Sequence, residues 1–297
     1  MDRRLIVCVA ASILASWPVW TWYAARILDR SDEPWCLVAL ATALVLLLRT
    51  EPRASPRTKL PGLLVPSILL LVYAILTFTA PPIVRAIAAL AAVGATIAAC
   101  HSCRLPDAGI WGLLLLAAPL LSSMQFYASY PLRWLMGEVS ALLLRTSGLA
   151  VTAEGTLLRW GRQIVEIDAP CSGVRMLWAG LFLACVLISL RGLGPWRAIV
   201  AGCMAVVAVL CANIARSTAL FFLETGIIPL PAWSHVAVGI LTFTLAAVAI
   251  VWGMPEARPT SLTPQTARLA GDLVARVLFL ATCTIAAATA WANPAAP

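Results

Sequence analysis

Residues Val174–Leu190 read VRMLWAGLFLACVLISL, an apolar run whose length suits a helix that crosses most of a lipid bilayer. Directly before this run stands a more polar stretch, Asp168-Ala169-Pro170-Cys171-Ser172-Gly173. A thiol at such a boundary between water and lipid is accessible to solutes, unlike a thiol buried halfway along a helix. The stretch therefore predicts a membrane helix with Cys171 at its polar end.

The composition of the whole chain extends this interpretation. The 297 residues are 62% hydrophobic and only 11% charged, with a mean hydropathy of +0.93, which excludes a water-soluble globule with a polar shell. Repeated long apolar runs, rather than weak alternating segments, predict helices and exclude a transmembrane barrel. The formal charge of +8 needs no nucleic-acid partner, because basic residues that flank helices orient a membrane protein. We predict an all-α transmembrane bundle of about eight or nine spans, in one domain over residues 1–297.

The basic residues in the loops indicate which side of the membrane each loop faces. The segment 49–59 carries four basic residues against one acidic residue, which places it in the cytoplasm. The segment 220–233 is broken by Gly226, Pro229 and Pro231, and predicts a short or re-entrant outer piece. The predicted spans are 5–25, 35–48, 62–80, 83–100, 109–127, 174–190, 198–215, 236–254 and 274–291.

The stretch 130–170 differs from the spans and is predicted to form an extracytoplasmic arm. Its first part is periodic and predicts a small amphipathic helix. The apolar face of this helix is predicted to consist of Leu132, Leu135, Met136, Val139, Leu142 and Leu143. The second part of the stretch has turn residues at Glu154-Gly155 and Trp160-Gly161, and apolar and polar residues alternate over 164–168. This pattern predicts a β-hairpin-like arm that leads into Cys171.

Counting crossings places three chemically reactive side chains on one side of the bilayer. Cys171 begins an inward helix, Arg216 ends the following outward helix, and His235 begins the next inward helix. A neighbouring imidazole can take the thiol proton and return it to a leaving amine, while a guanidinium stays charged and can stabilise an oxyanion. Asn213, three residues before Arg216, could orient either group. The catalytic candidates are therefore Cys171, Arg216 and His235, within a predicted core of helices over 171–253.

Further residues are candidates for substrate binding. Glu224 lies in an apolar outer segment, where pairing with Arg216 would relieve its charge. Asp168, with Glu166, belongs to the solvated arm and could bind a basic substrate segment. Besides Asn213, the remaining candidates are the two residues that follow Cys171, which are Ser172 and Gly173.

Simpler interpretations exist for each of these side chains. A single cysteine near a helix end is usually structural, an arginine at a membrane boundary is usually a snorkelling anchor, and a boundary histidine is often only an interface residue. A zinc site at Cys100 and Cys103 is not expected, because no second ligand pair exists in the chain. We therefore predict no metal and no organic cofactor.

The motifs together resemble the exosortase/archaeosortase family of membrane transpeptidases. The resemblance covers roughly residues 127–253 and is carried by Cys171-Ser172-Gly173, by Asn213-Ile214-Ala215-Arg216, and by His235 with Gly239 four residues later. It implies a thiol protease and transpeptidase in the inner (plasma) membrane, with its site facing the periplasm or exterior. Its substrates would be membrane-anchored proteins with a C-terminal sorting signal, cleaved and transferred to an acceptor through a thioester. Pro170 departs from the family pattern, where an alanine is more usual.

Two other classes of function remain open from the residues alone. In a transporter or an accessory component of polysaccharide export, Arg216 and Glu224 would bind an anionic ligand and Cys171 would be incidental. A thiol-disulfide carrier would need a second cysteine on the outer face, and the sequence offers none between Tyr127 and Cys171 or between Arg216 and His235.

Overall fold

The computed structural model is mostly helical and carries one small sheet. It describes residues 3–28, 34–50, 60–101, 105–167, 172–229, 231 and 233–256. These residues form two compact units, the first within 1–123 and 191–198, the second within 124–190 and 199–256. The predicted last span, 274–291, lies outside the described residues.

The first unit contains helices only. They are α1 (Arg3–Ala15), α2 (Trp17–Leu28), α3 (Trp35–Arg49), α4 (Leu60–Thr79), α5 (Pro82–His101) and α6 (Ala108–Leu116). Helix α5 is rich in alanine and is largely buried against its neighbours, because small side chains let helix backbones approach closely. At Gly94 the approach is so close that an added Cβ would lie 2.4 Å from Cδ1 of Leu114 in α6.

Two predicted spans of the first half are interrupted. The run 5–25 consists of two helices bent by 75° near Ser16, where Pro18 lacks the N–H that a continuous helix would need. The run 109–127 is also broken, because α6 ends at Leu116 and the next helix begins only at Leu121, with Pro119 between them. The predictions of single uninterrupted helices over these two runs are therefore wrong.

The second unit holds four helices and three strands. They are α7 (Leu121–Thr146, of which the first three residues belong to the first unit), β1 (Val151–Glu154), β2 (Leu157–Trp160), β3 (Gln163–Glu166), α8 (Val174–Leu190), α9 (Pro195–Glu224) and α10 (Ser234–Gly253). Helices α8, α9 and α10 meet at Gly180, where an added Cβ would lie 2.5 Å from Cγ2 of Val209 and 3.5 Å from Cδ1 of Ile250.

The described residues contain three single helices that are long and apolar enough to cross a membrane, namely α5, α9 and α10. The number rises to five if the pairs α1–α2 and α6–α7 each count as one broken span or re-entrant loop. The shorter apolar helices are α3, residues Leu64–Thr79 of α4, and α8. The multi-pass helical architecture is confirmed, whereas the count of eight or nine spans stays a prediction.

Helix α7 buries a different face from the one its leucines indicated. Met136, Ser140 and Leu144 are fully buried, whereas Leu142 is 54% exposed and Leu143 is 41% exposed. Leucine faces lipid as readily as it faces a protein core, so apolar periodicity in a membrane protein does not by itself identify the packed face. The predicted face is therefore wrong at its C-terminal end.

The second part of the predicted arm forms a three-stranded antiparallel sheet in the order β1-β2-β3. The prediction of a separate small helix in its first part is wrong, because residues 130–146 belong to the 26-residue α7. Both turns fall where the sequence predicted them, with Gly155 at φ +66° and Gly161 at φ +59°, because tight hairpins need a residue that adopts positive φ. Arg159 donates two hydrogen bonds of 2.9 Å to the carboxylate of Glu154 and thereby lowers the pKa of Glu154. Both side chains are solvent-exposed, so the pair contributes little to stability.

One face of the sheet packs onto α7 and α9. Val151, Leu158 and Ile167 are buried in a cluster with Met136 of α7 and Phe221 of α9. The contacts hold β3, and with it the chain that leads toward Cys171, against the C-terminal half of α9.

Candidate active site

Six of the eight predicted site residues lie within the described structure. Two do not, because Asp168 and Cys171 fall in the segment 168–171, outside the described residues. The six described ones are Ser172, Gly173, Asn213, Arg216, Glu224 and His235, and all belong to the second unit.

The side chain of Asn213 fills the space beside Gly173. Gly173 has φ +77°, and a Cβ added to it would lie 2.6 Å from Nδ2 and 2.8 Å from Cγ of Asn213. Asn213 is 1% exposed, so the amide side chain of α9 is held against the backbone at the start of α8. The carbonyl of Gly173 accepts the N–H of Leu177 at 2.8 Å, and the buried Ser172 hydroxyl lies 3.5 Å from the N–H of Val174. The Cys-Ser-Gly element therefore ends in a turn that leaves no room for a larger residue.

We expect Gly173→Ala to destabilise the protein more than Gly148→Ala. Gly148 has φ +88° but no atom within 4 Å of an added Cβ, so both variants carry backbone strain of about 1–2 kcal/mol and only Gly173→Ala adds the clash with Asn213. Overpacking of that kind costs roughly 1–3 kcal/mol. Thermal unfolding of both variants in detergent measures the difference, and equal losses of stability would contradict the close contact.

Helix α9 continues well beyond Arg216. The sequence predicted that the outward helix ends at Arg216, but α9 runs without a break to Glu224, about 12 Å further along its axis. The prediction of a separate outer segment beginning at residue 220 is therefore wrong over 220–224. The helix ends before Gly226, which has φ +70°. Arg216 consequently lies two turns inside the helix instead of at its end.

Arg216 packs on α10 one turn from His235. A Cβ at Gly239 would lie 3.6 Å from both Cζ and Nε of Arg216, so the guanidinium lies beside this glycine, where a larger side chain would touch it. Gly239 follows His235 by four residues, which places the two on the same face of α10. Nε of Arg216 is buried and has no hydrogen-bond partner among the described residues. The structure thus brings Arg216 and the His235 face of α10 together and leaves a guanidinium donor available.

Glu224 pairs with His235 and not with Arg216. Oε1 of Glu224 lies 3.8 Å from Nε2 of His235, and the two side chains are 53% and 45% exposed. The predicted pair between Glu224 and Arg216 is wrong, because the continuous helix separates these residues by two turns.

A cavity of about 270 Å³ opens beside these side chains. Residues 164–167 line one side of it, Ser217, Leu220 and Glu224 of α9 line another, and His235 also contributes. The three α9 residues follow a helical spacing of three and four, so they form one stripe. The cavity therefore extends from β3 to His235, the proposed proton donor.

Two polar residues near this cavity were not among the predicted site residues. Nη1 of Arg133 donates to the carbonyl oxygen of Ile167 at 3.4 Å and lies 4.0 Å from Oε1 of Glu166, so α7 holds the end of the arm. Ser217 is 6% exposed and follows Arg216 directly. Arg133 is spaced three and seven residues before Met136 and Ser140, so it shares the buried face of α7 with them. The leucine pattern of the sequence did not indicate this face.

The second histidine of the chain lies elsewhere. His101 belongs to the first unit, where its Nε2 is 3.0 Å from the carbonyl oxygen of Leu48. No group of three or more potential metal ligands occurs among the residues that the structure describes. Cys203 and Cys211 are exposed on α9, although both fall inside an apolar run of the sequence.

Some of the helices are long and apolar enough to span a membrane, and polar side chains of α9 lie against the start of α8 and against α10. These features define a multi-pass membrane protein with a polar site between its helices. A sequence model of the transmembrane exosortase family (Exosortase_EpsH) matches residues 5–252. The chain belongs to that family, and membership suggests a transmembrane transpeptidase whose substrates are membrane proteins with sorting signals. Neither the curated proteins nor the solved structures contain a match to this chain.

Proposed function

We propose that this protein is a cysteine-dependent transpeptidase with Cys171 as nucleophile and Arg216 and His235 as its catalytic partners. It cleaves the C-terminal sorting signal of membrane-anchored exported proteins at the outer face of the inner (plasma) membrane and transfers the protein to an acceptor. The observation that supports this most is the position of the Arg216 guanidinium beside Gly239, one helical turn from His235.

Covalent connectivity relates Cys171 to these groups. Cys171 is joined to Ser172 by a peptide bond, and the next residue, Gly173, is packed against Asn213. Asn213 lies one turn before Arg216 on α9. The residue that packs against the start of α8 and the residue that supplies the guanidinium are therefore neighbours on one face of the same helix. In this proposal Asn213 positions the backbone after the nucleophile.

The proposed reaction proceeds through a thioester. The thiolate of Cys171 attacks the scissile carbonyl carbon, and the oxyanion that forms is stabilised by the permanent charge and the N–H donors of Arg216. The carbon–nitrogen bond then breaks as His235 gives its proton to the leaving amine. An acceptor amine, hydroxyl or water attacks the thioester and His235 takes the acceptor's proton. The carbon–sulfur bond then breaks and regenerates the Cys171 thiolate beside the protonated His235.

Glu224 has a supporting role in this scheme. Its carboxylate lies 3.8 Å from Nε2 of His235 and can stabilise the imidazolium that forms when the thiol loses its proton. Because both side chains are nearly half exposed, solvent screens this attraction and its contribution is modest. No step of the proposal uses a metal or an organic cofactor.

Trapping the intermediate tests the proposed reaction class. A reporter made of a secreted globular domain and the C-terminal tail of an exported protein from the same cell is incubated with the full-length enzyme. Tails that end in a short motif, one apolar helix and an arginine cluster are the first choice. We expect acid quenching followed by mass spectrometry to show the reporter linked to Cys171, in a bond that neutral hydroxylamine cleaves. A reporter that is cleaved by this enzyme without any such adduct would exclude the thioester.

A further inference from the structure

The cavity beside His235 runs along the edge of a strand. Successive side chains of a strand point to opposite faces of its sheet, yet residues 164–167 all line this one cavity. Residues from both faces can border a single space only where that space lies beside the strand. Leu158 of β2, on the buried face of the sheet, borders the same space. The cavity therefore reaches from that buried face to the outer edge of β3, which pairs with β2 on its other side alone.

The register identifies the backbone groups that face this edge. The N–H of Ile167 donates to the carbonyl of Thr156 at 2.9 Å, which makes these two residues a hydrogen-bonded pair. Hydrogen-bonded and non-hydrogen-bonded pairs alternate along an antiparallel ladder, so Val165 and Gln163 also bond to β2. The N–H and C=O groups of Ile164 and Glu166 consequently point away from β2 and toward the cavity. Among the described residues, none forms a backbone hydrogen bond with these groups.

Two carboxylates flank the edge, and each has a nitrogen-bearing side chain nearby. Glu166 has Arg133 at 4.0 Å, and Glu224 has His235 at 3.8 Å. A lipid headgroup or a polyanion would meet two carboxylates here, whereas a neutral polypeptide backbone offers the alternating donors and acceptors that an edge strand requires.

We infer that the substrate tail binds as an added strand on the β3 edge, between Ile164 and Glu166 on one side and the Ser217–Leu220–Glu224 stripe of α9 on the other. This inference rests on the proposed function and specifies how that site holds its substrate. The extended segment next to the scissile bond pairs with the backbone of Ile164 and Glu166, and its course along β3 brings it to His235. Backbone pairing supplies affinity, and contacts between the α9 stripe and the side chains of the tail supply specificity.

A pair of proline variants tests the strand addition. Ile164→Pro removes the outward N–H and places a ring on the β3 edge, while the ladder to β2 keeps its hydrogen bonds. Ala153→Pro is the matched control, because the same alternation points the N–H of Ala153 away from β2 at the opposite edge of the sheet. The probe is the reporter described above, chosen so that Cys171→Ala fails to process it. We expect Ile164→Pro to lower kcat/KM by about tenfold or more, mainly through KM, and Ala153→Pro to change it less than about twofold.

The outcomes separate the two proposals. Equal kinetics for Ile164→Pro and Ala153→Pro, with Cys171→Ala inactive, would overturn the strand addition and leave the thiol chemistry standing. Processing of every candidate reporter by Cys171→Ala at the wild-type rate would overturn the proposed function and this inference with it. Alkylation of Cys171 by iodoacetamide, a reagent too small to need docking, shows whether Ile164→Pro retains an intact site.

A cross-link provides a second test that does not depend on the proline variant folding. Ile164→Cys is combined with Cys171→Ala, Cys203→Ser and Cys211→Ser, and paired with reporters that carry one cysteine at successive tail positions. We expect disulfides at alternate tail positions, because only every second residue of an added strand shares a face with residue 164. Equal cross-linking at all positions, or a disulfide between two copies of this chain in its place, would exclude the tail as the occupant of the edge.

Discussion

Replacing Cys171 with alanine is expected to abolish processing of sorting-signal reporters while the protein remains inserted in the membrane. The proposed reaction has no other nucleophile, so we expect the rate to fall by about a thousandfold or more. Cys171→Ser is expected to be almost as inactive, because a hydroxyl is a far weaker nucleophile than a thiolate at neutral pH. The measurement is the ratio of uncleaved to cleaved reporter over time, by immunoblot, in membranes that contain equal amounts of each variant.

Cys203→Ala is the matched control for this experiment. Cys203 is exposed on α9 and has no place in the proposed chemistry, so its loss should leave the processing rate unchanged. Undiminished processing by Cys171→Ala would exclude the thiol mechanism. Such a result, combined with loss of function in Arg216 variants, would favour an anion transporter or an export component in which the cysteine is incidental.

Substitution of Arg216 is expected to have the second largest effect. Arg216→Gln removes the charge that is proposed to stabilise the oxyanion, and loss of one such donor typically costs about a hundredfold to a thousandfold in kcat. Arg216→Lys keeps a charge but loses the planar fork that lies beside Gly239, so we expect an intermediate loss. The kinetic constants for reporter cleavage should show the change in kcat, with KM altered much less.

Arg145→Gln serves as the control for the change of charge. Arg145 lies exposed in the last turn of α7, and its neutralisation should leave kcat within about twofold of wild type, as expected for a surface site. If Arg216→Gln raised KM and left kcat intact, the guanidinium would bind substrate in the ground state only, and its proposed role in the transition state would be wrong.

The sequence predicted best the elements whose signals are local. The apolar run Val174–Leu190 is α8 to the residue, since its boundaries are marked by Gly173 before it and Arg191-Gly192 after it. The two hairpin turns fell at Gly155 and Gly161 because only a residue that tolerates positive φ suits them. The association of Asn213, Arg216 and His235 with the Cys-Ser-Gly element also came from the sequence, through motif order and the count of crossings.

Other features depended on contacts between residues distant in the chain. The leucines of α7 could not reveal its buried face, because lipid and protein interior are equally apolar environments for them. Arg216 indicated a helix end, yet α9 continues past it to Glu224, and the guanidinium lies beside Gly239 of α10. The β3 edge became a cavity wall only through the packing of the sheet on α7 and α9. Local sequence thus determined where helices, turns and reactive groups occur, whereas tertiary packing decided which of them meet. Burial and pairing depend on two surfaces at once, so the sequence of one segment alone does not determine them.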